Sequence, residues 1–222
     1  MASEVDICNL ALGHLGDTAT VASINPPEGS AQSEHCARFY PIARDALLEM
    51  HPWGFATKRV NLAALTSTWP EWQYAYALPG DVVNLLAVMP PNASDDYSVP
   101  MQSLYNINGA PIPMAGQYQP QPYNTEVLDD GTSVIYTNQE NAMLRYTALV
   151  TDPTKFSPLF VETLGYLLAS KLAGPVIKGE DGRAVAKSML ATAMIYLGKA
   201  ETSDANQRRT TTAQNVGWIT GR

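Results

Sequence analysis

The sequence predicts an α+β protein: a discontinuous antiparallel helical bundle from the N- and C-terminal segments, an inserted small β-rich domain, and an extended C-terminal tail. Three observations predict it. Apolar residues recur every three or four places over 1–59 and again over 154–200, the spacing of one helix face. Over 60–153 apolar and polar residues alternate in short runs broken by turn residues. Over 201–222 apolar periodicity disappears. Neither terminal pair of helices can bury its stripes alone. The economical solution joins both pairs in one bundle and leaves the β-rich segment as a second, smaller unit.

The first helix is predicted over 3–15. Ser3 with Asp6 resembles a capping box, and Val5, Cys8, Leu12 and Leu15 line one face. Gly16 suits the left-handed turn that ends a helix. His14 lies near that end, where a protonated imidazole is favoured by the helix dipole. A connector over 17–29, with Val21, Ile24 and Asn25-Pro26-Pro27, leads to a second helix capped by Ser30. Its stripe is Cys36, Phe39, Tyr40, Ala43, Ala46, Leu47 and Met50. Pro41 removes one intrahelical bond and predicts a kink. The helix stops before Pro52, and Trp53, Gly54 and Phe55 form an aromatic corner.

In the insertion, Val60, Leu62 and Leu65 suit a short strand. Tyr74, Tyr76 and Leu78 alternate with Gln73, Ala75 and Ala77 before the turn Pro79-Gly80-Asp81. The apolar run 82–89 reads as a buried strand. The loop over 90–124 carries Pro90, Pro91, Pro100, Pro111, Pro113, Pro120 and Pro122, which excludes continuous helix and argues against a central strand. Excursions of that length are usually functional or disordered. Strands resume over 125–128, 133–136 and 143–149, with a turn at Asp129-Asp130-Gly131. Ser157 as N-cap and Pro158 at the first helical position start a third helix. Its only charges up to Ala173 are Glu162 and Lys171, so it is buried on more than one side, and Gly174-Pro175 is its predicted stop. A fourth helix over 181–199 aligns Val185, Met189, Ala193 and Tyr196.

Charged residues are 16% of the chain, below the usual quarter or so, and the net charge is −7. Few charges suit a surface that is partly buried against other subunits. An acidic chain is poorly suited to gripping nucleic-acid phosphates, though it suits a protein that lets DNA slide past. Cys8 and Cys36 read as buried free thiols, with a disulfide as the alternative. The start, 1–6, lacks a basic signal-peptide region, and no apolar run approaches the roughly 20 residues that span a bilayer. The expectation is a protein kept in the cytoplasm, or assembled there into something larger, with no membrane partner.

Catalytic and ligand patterns are not found. His35 and Cys36 diverge by about 100° on one helix, and His14 and His51 have no ligand partner at diagnostic spacing, so no metal or cofactor is expected. No G-x-S-x-G, GxxxxGK[ST] or GxGxxG occurs. Asp95-Asp96 and Asp129-Asp130-Gly131 read as acidic turns rather than calcium sites. A carboxylate pair for sugar hydrolysis is set by three-dimensional separation, which spacing does not reveal. Trp53, Phe55, Trp72, Tyr74 and Tyr76, with Trp69, read as a seam where bundle meets sheet; a subunit interface or sugar-stacking platform is the alternative. The tail, with Arg208, Arg209, Trp218 and Ile219, reads as an arm that docks on a partner's acidic surface, with a disordered terminus as the alternative.

Four stretches carry a resemblance: ICNLALGHLGD (7–17), ARDALLEMHPWGFA (43–56), WQYAYALPGD (72–81) and KFSPLFVETLGYLLASKLA (155–173). In them the chain resembles the head-to-tail adaptor, or connector, family of tailed bacteriophages, called tail tubular protein A in short-tailed phages. The resemblance implies a non-enzymatic virion protein at the head–tail junction, usually a dodecameric ring beneath the portal protein. Its helical part would pack around the ring, its β part would meet the tail nozzle or another tail protein, and its C-terminal segment would grip the portal. Double-stranded DNA would pass through the lumen during ejection without specific binding. The alternative is a tail-associated peptidoglycan-cleaving enzyme of the muramidase type.

Overall fold

The computed structural model describes residues 2–18, 20–66, 69–91 and 121–207, and they form a mixed helix-and-sheet protein. The chain divides into two compact units. The helical one comprises Met1–Thr57 and Thr147–Gln207, so both ends of the chain contribute to it.

Its first helix, α1 (Glu4–His14), starts where the capping residues dictate. The Asp6 N–H donates to Ser3 Oγ at 3.1 Å, and the Ser3 N–H donates to Asp6 Oδ2 at 2.8 Å. Helix α2 (Ala31–Met50) is capped by Ser30 Oγ, which accepts from the Ser33 N–H at 3.2 Å, and it runs through Pro41 without ending. Helix α3 (Pro158–Ile177) is capped by Ser157, whose Oγ accepts from the Phe160 N–H at 3.3 Å. Helix α4 is Gly179–Asn206.

Two helix ends differ from the sequence expectation. Gly174-Pro175 does not stop α3, which continues to Ile177 and closes at Lys178, whose N–H donates to Gly174 O at 3.0 Å. A proline this near the end forfeits a single backbone bond, and a break one turn earlier would save little. Helix α4 outruns its predicted end at 199 and takes residues 201–206 from the predicted extended tail. Ala200 and Asp204, 2% and 7% exposed, anchor that last stretch in the core. The first turn of α4 needs glycine at 182, because a Cβ there would lie 2.9 Å from the Ala173 carbonyl oxygen.

α3 packs against each of the other helices, most extensively against α4. Phe160, Leu164, Leu168 and Leu172 of α3 are fully buried among Ile7, Leu12, Tyr40, Leu47 and Trp53. Contrary to the sequence expectation, this helix is, by length and composition, long and apolar enough to cross a bilayer. Here its apolar side chains supply the core of the helical unit.

The β-rich unit, Lys58–Tyr146, is reached through β1 (Thr57–Asn61). The strands that follow are β2 (Ala63–Leu65), β3 (Tyr74–Ala77), β4 (Val82–Met89), β5 (Tyr123–Val127), β6 (Ser133–Thr137) and β7 (Met143–Ala148). They form a sheet ordered β1-β7-β4 and a second, antiparallel one ordered β2-β3-β6-β5. The single strand expected from Val60 to Leu65 is therefore two strands in different sheets. Leu62 lies between them, and its N–H donates to Ala142 O at 3.0 Å. The predicted loop 90–124 ends early. Gln121 donates its N–H to Val88 O at 2.8 Å, and β5 begins at Tyr123 because it has β6 to pair with. The stretch 92–120 lies outside the described residues.

Candidate functional site

Polar and aromatic side chains converge in the helical unit at the corner after α2. Pro52 forces His51 out of the helix, and Trp53 turns inward, fully buried, with its Nε1–H donating to Leu47 O at 2.8 Å. Its ring meets Phe160 edge-on at 5.0 Å, and Phe55 meets Phe160 at 5.0 Å and Phe156 at 5.7 Å. A short 3-10 turn, Gly54–Ala56, follows. Its first N–H, on Gly54, donates to the Asp204 carboxylate at 3.0 Å to Oδ1 and 3.1 Å to Oδ2. His51 Nε2 lies 3.3 Å from Oδ2 of the same group. Asp204 thus ties the last turn of α4 to a backbone amide 150 residues away. A Cβ on Gly54 would approach Asp204 Oδ1 to 3.1 Å, tighter than an ordinary contact, so a larger residue there would press on the carboxylate. The His51–Asp204 pair holds a corner: both carboxylate oxygens are engaged by the Gly54 amide.

A ladder of rings joins three helices elsewhere in the unit. His14 stacks on Tyr166 with centroids 4.0 Å apart, Tyr166 meets Tyr196 at 5.0 Å, and Lys199 Nζ lies 4.5 Å above the Tyr196 ring. Burial holds the His14 pKa below its usual range, opposed by the Glu162 carboxylate at 4.0 Å. Cys8 and Cys36 are free and buried; the neighbouring Cys36 thiol and burial push the Cys8 pKa up. In the β-rich unit, Asp81 receives Tyr146 OH at 2.9 Å and Lys58 Nζ at 2.7 Å. Lys58 foremost holds Asp81 below the usual carboxylate range, while burial and then Asp81 push Tyr146 up to about 12. Trp69, 52% exposed, lines a cavity of about 450 Å³ with Glu126, Val127, Leu128, Asp129 and Asp130. No cluster of three or more metal-ligating side chains occurs among the described residues.

The structure brings Trp53 and Phe55 together in the helical core. It places Trp72 on the β-rich unit's small cluster of Ala75, Val134 and Tyr136, with Tyr74 and Tyr76 stacked at 6.4 Å. Tyr76 OH donates to Gln139 O at 2.8 Å. Arg208, Arg209, Trp218 and Ile219 lie outside the described residues. Sequence reasoning missed Asp204, which carries no local signal, and it put Met50 on the buried stripe of α2, where the structure leaves it 45% exposed. It also missed two apolar surfaces, Ile42 with Met50 on α2 and Leu190, Met194 and Ile195 on α4. No family model matches the chain, and no curated protein matches it in sequence.

Proposed function

We propose that the chain is a structural virion protein, a head-to-tail adaptor. It forms a dodecameric ring under the portal, extends the DNA channel and offers the tail its attachment surface. On this reading the helical unit is a discontinuous antiparallel bundle that builds the ring wall. The β-rich unit meets the next tail protein, and the arm carrying Arg208, Arg209, Trp218 and Ile219 grips the portal. The observation that carries the reading is the helical unit made from Met1–Thr57 and Thr147–Gln207 around an inserted β-rich segment. Support also comes from the four stretches that resemble the adaptor family. In three of them the apolar positions are core residues of that unit, among them Ile7, Leu12, Leu47, Trp53, Phe160 and Leu168. The acidic balance, −7, suits a conduit to which DNA does not adhere.

Co-expression with the portal protein tests this. The intact chain is expected to co-purify with the portal, and a chain ending at Gln207 is expected to stay folded but lose the portal. Trp218→Ala is expected to weaken the association by about 2 kcal/mol, the scale of an interface hot spot. Retention of the portal by the shortened chain would refute the docking arm. Turnover of peptidoglycan by the purified protein, abolished by a single carboxylate substitution, would replace the adaptor reading with an enzymatic one.

A further inference from the structure

Strand β5 is the outer strand of the sheet β2-β3-β6-β5, and every residue in it is exposed. Leu128 donates its N–H to Thr132 O at 2.9 Å, so strand alternation turns the backbone groups of Asn124 and Glu126 toward β6. Those of Tyr123, Thr125 and Val127 face outward. The Thr125 N–H donates to Asn124 Oδ1 at 3.0 Å, which leaves the amides of Tyr123 and Val127 and three carbonyls for an added strand. The groove beside this edge offers apolar surface in Trp69 and Val127, 52% and 68% exposed, and carboxylates in Glu126, Asp129 and Asp130. Glu126 Oε1 accepts from Asn124 Nδ2 at 3.5 Å and Asp130 accepts the Thr132 N–H at 2.9 Å, while no base pairs with any of the three among the described residues. The whole stretch 60–144 holds eight carboxylates and no lysine, arginine or histidine, more than the chain's net charge of −7.

The C-terminal arm, 208–222, has the opposite character. It carries Arg208, Arg209 and Arg222 with no aspartate or glutamate, and Thr210, Thr211, Thr212, Val216, Trp218 and Ile219 favour extended backbone. It contains no proline, so each of its amides can join a sheet. The arm follows Asp204 by a few residues, Asp204 is bonded to Gly54, and the β-rich unit begins at Lys58. Fifteen extended residues span roughly 50 Å. A compact unit the size of Lys58–Tyr146 is roughly 30 Å across.

We infer that in the free chain the β5 edge is the seat of the chain's own C-terminal arm, which adds to the sheet as an extended segment. Backbone bonds to Tyr123, Thr125 and Val127 hold it. The arginines face Glu126 and Asp129, which lack a base of their own, and Trp218 with Ile219 covers Trp69 and Val127. Seating the arm also closes an open strand edge that would otherwise invite pairing with other chains. The inference concerns the chain before it meets any partner and stands apart from the portal reading, in which the same arm is handed on to the portal.

Hydrogen exchange read by mass spectrometry on the full-length chain tests this, with 208–222 and β5 followed together. Three variants join the wild type: Arg208→Glu with Arg209→Glu, Glu126→Lys with Asp129→Lys, and all four substitutions at once. Glu126 and Asp129 are exposed, so circular dichroism is expected to match the wild type. In the wild type the arm amides are expected to exchange at least about tenfold more slowly than in either two-site variant, and the amides of Tyr123 and Val127 to slow with them. The four-site variant swaps the charges across the contact and is expected to regain the protection. Protection is expected to be equal at about 1 and 100 μM protein, because arm and seat share one chain. A wild-type arm that exchanges as fast as in the variants, protection that survives charge reversal, a four-site variant that recovers none, or protection that grows with concentration would each overturn this seat. None of these results alters the portal co-purification, which tests the adaptor reading separately.

Discussion

Asp204 is the side chain on which the aromatic corner depends. Its carboxylate sits at the start of the 3-10 turn, where an acid accepts the first N–H and faces the positive end of the turn. Asp204→Ala is expected to cost about 1–2 kcal/mol, as for loss of a helix cap, seen as a lower urea midpoint with an unchanged slope. Asp204→Asn keeps an acceptor oxygen and is expected to cost less. His14 brings a pH dependence whose sign follows from burial. Its imidazole is held neutral in the fold, so the unfolded chain takes up a proton first as pH falls below about 6.5. Stability therefore declines from that pH down to the native pKa, where the difference is complete. His14→Gln is expected to flatten this slope in urea midpoints measured between about pH 7 and 5. Neither residue announces itself in the sequence in this role. A lone aspartate near a predicted helix end has many uses, and only the Gly54 amide beside it gives this one meaning.

At the scale of elements, the starts of α1, α2 and α3 and the ends of α1 and α2 were legible, while the ends of α3 and α4 were not. Ser3, Ser30 and Ser157 cap the helices they were expected to cap, because a cap bonds to amides two or three residues away and needs no help from elsewhere. Ends are decided by what the last turn can bury. α4 continues to Asn206 because Ala200 and Asp204 have a core to enter. The strand expected over Val60 to Leu65 failed for a related reason: pairing partners on different sheets divide it at Leu62. Two glycines make a test of close packing. A Cβ at Gly182 would meet the backbone oxygen of Ala173 at 2.9 Å, whereas one at Gly165 would meet the flexible end of Leu10 at the same distance. Gly182→Ala is therefore expected to destabilise by about 1–3 kcal/mol, and Gly165→Ala by less, in matched urea titrations.

For the molecule as a whole, the consequential fact is that Thr57 and Thr147 belong to the same unit and that β1 and β7 are hydrogen-bonded neighbours. Replacing 58–146 by a short flexible linker is thus expected to leave a protein with helical circular dichroism and a cooperative thermal transition. Loss of cooperativity would show that the helical core needs the insertion. Both ends carry apolar stripes that no helix pair can bury alone, and Met1–Thr57 and Thr147–Gln207 share one unit. The aromatic residues were legible one by one but not as groups. Trp53 and Phe55 find Phe156 and Phe160 from the far end of the chain, while Trp72 joins Val134 and Tyr136. By itself the sequence determined a mixed helix-and-sheet protein, the starts of its helices and the absence of familiar catalytic motifs, since periodicity, capping and motif spacing act within a few residues. Only the tertiary structure decided that Asp204 clasps Gly54 and that α2 and α4 keep apolar faces outward. Those outcomes depend on which distant segments compete for the same buried space, and α3 occupies that space from the centre of the helical unit.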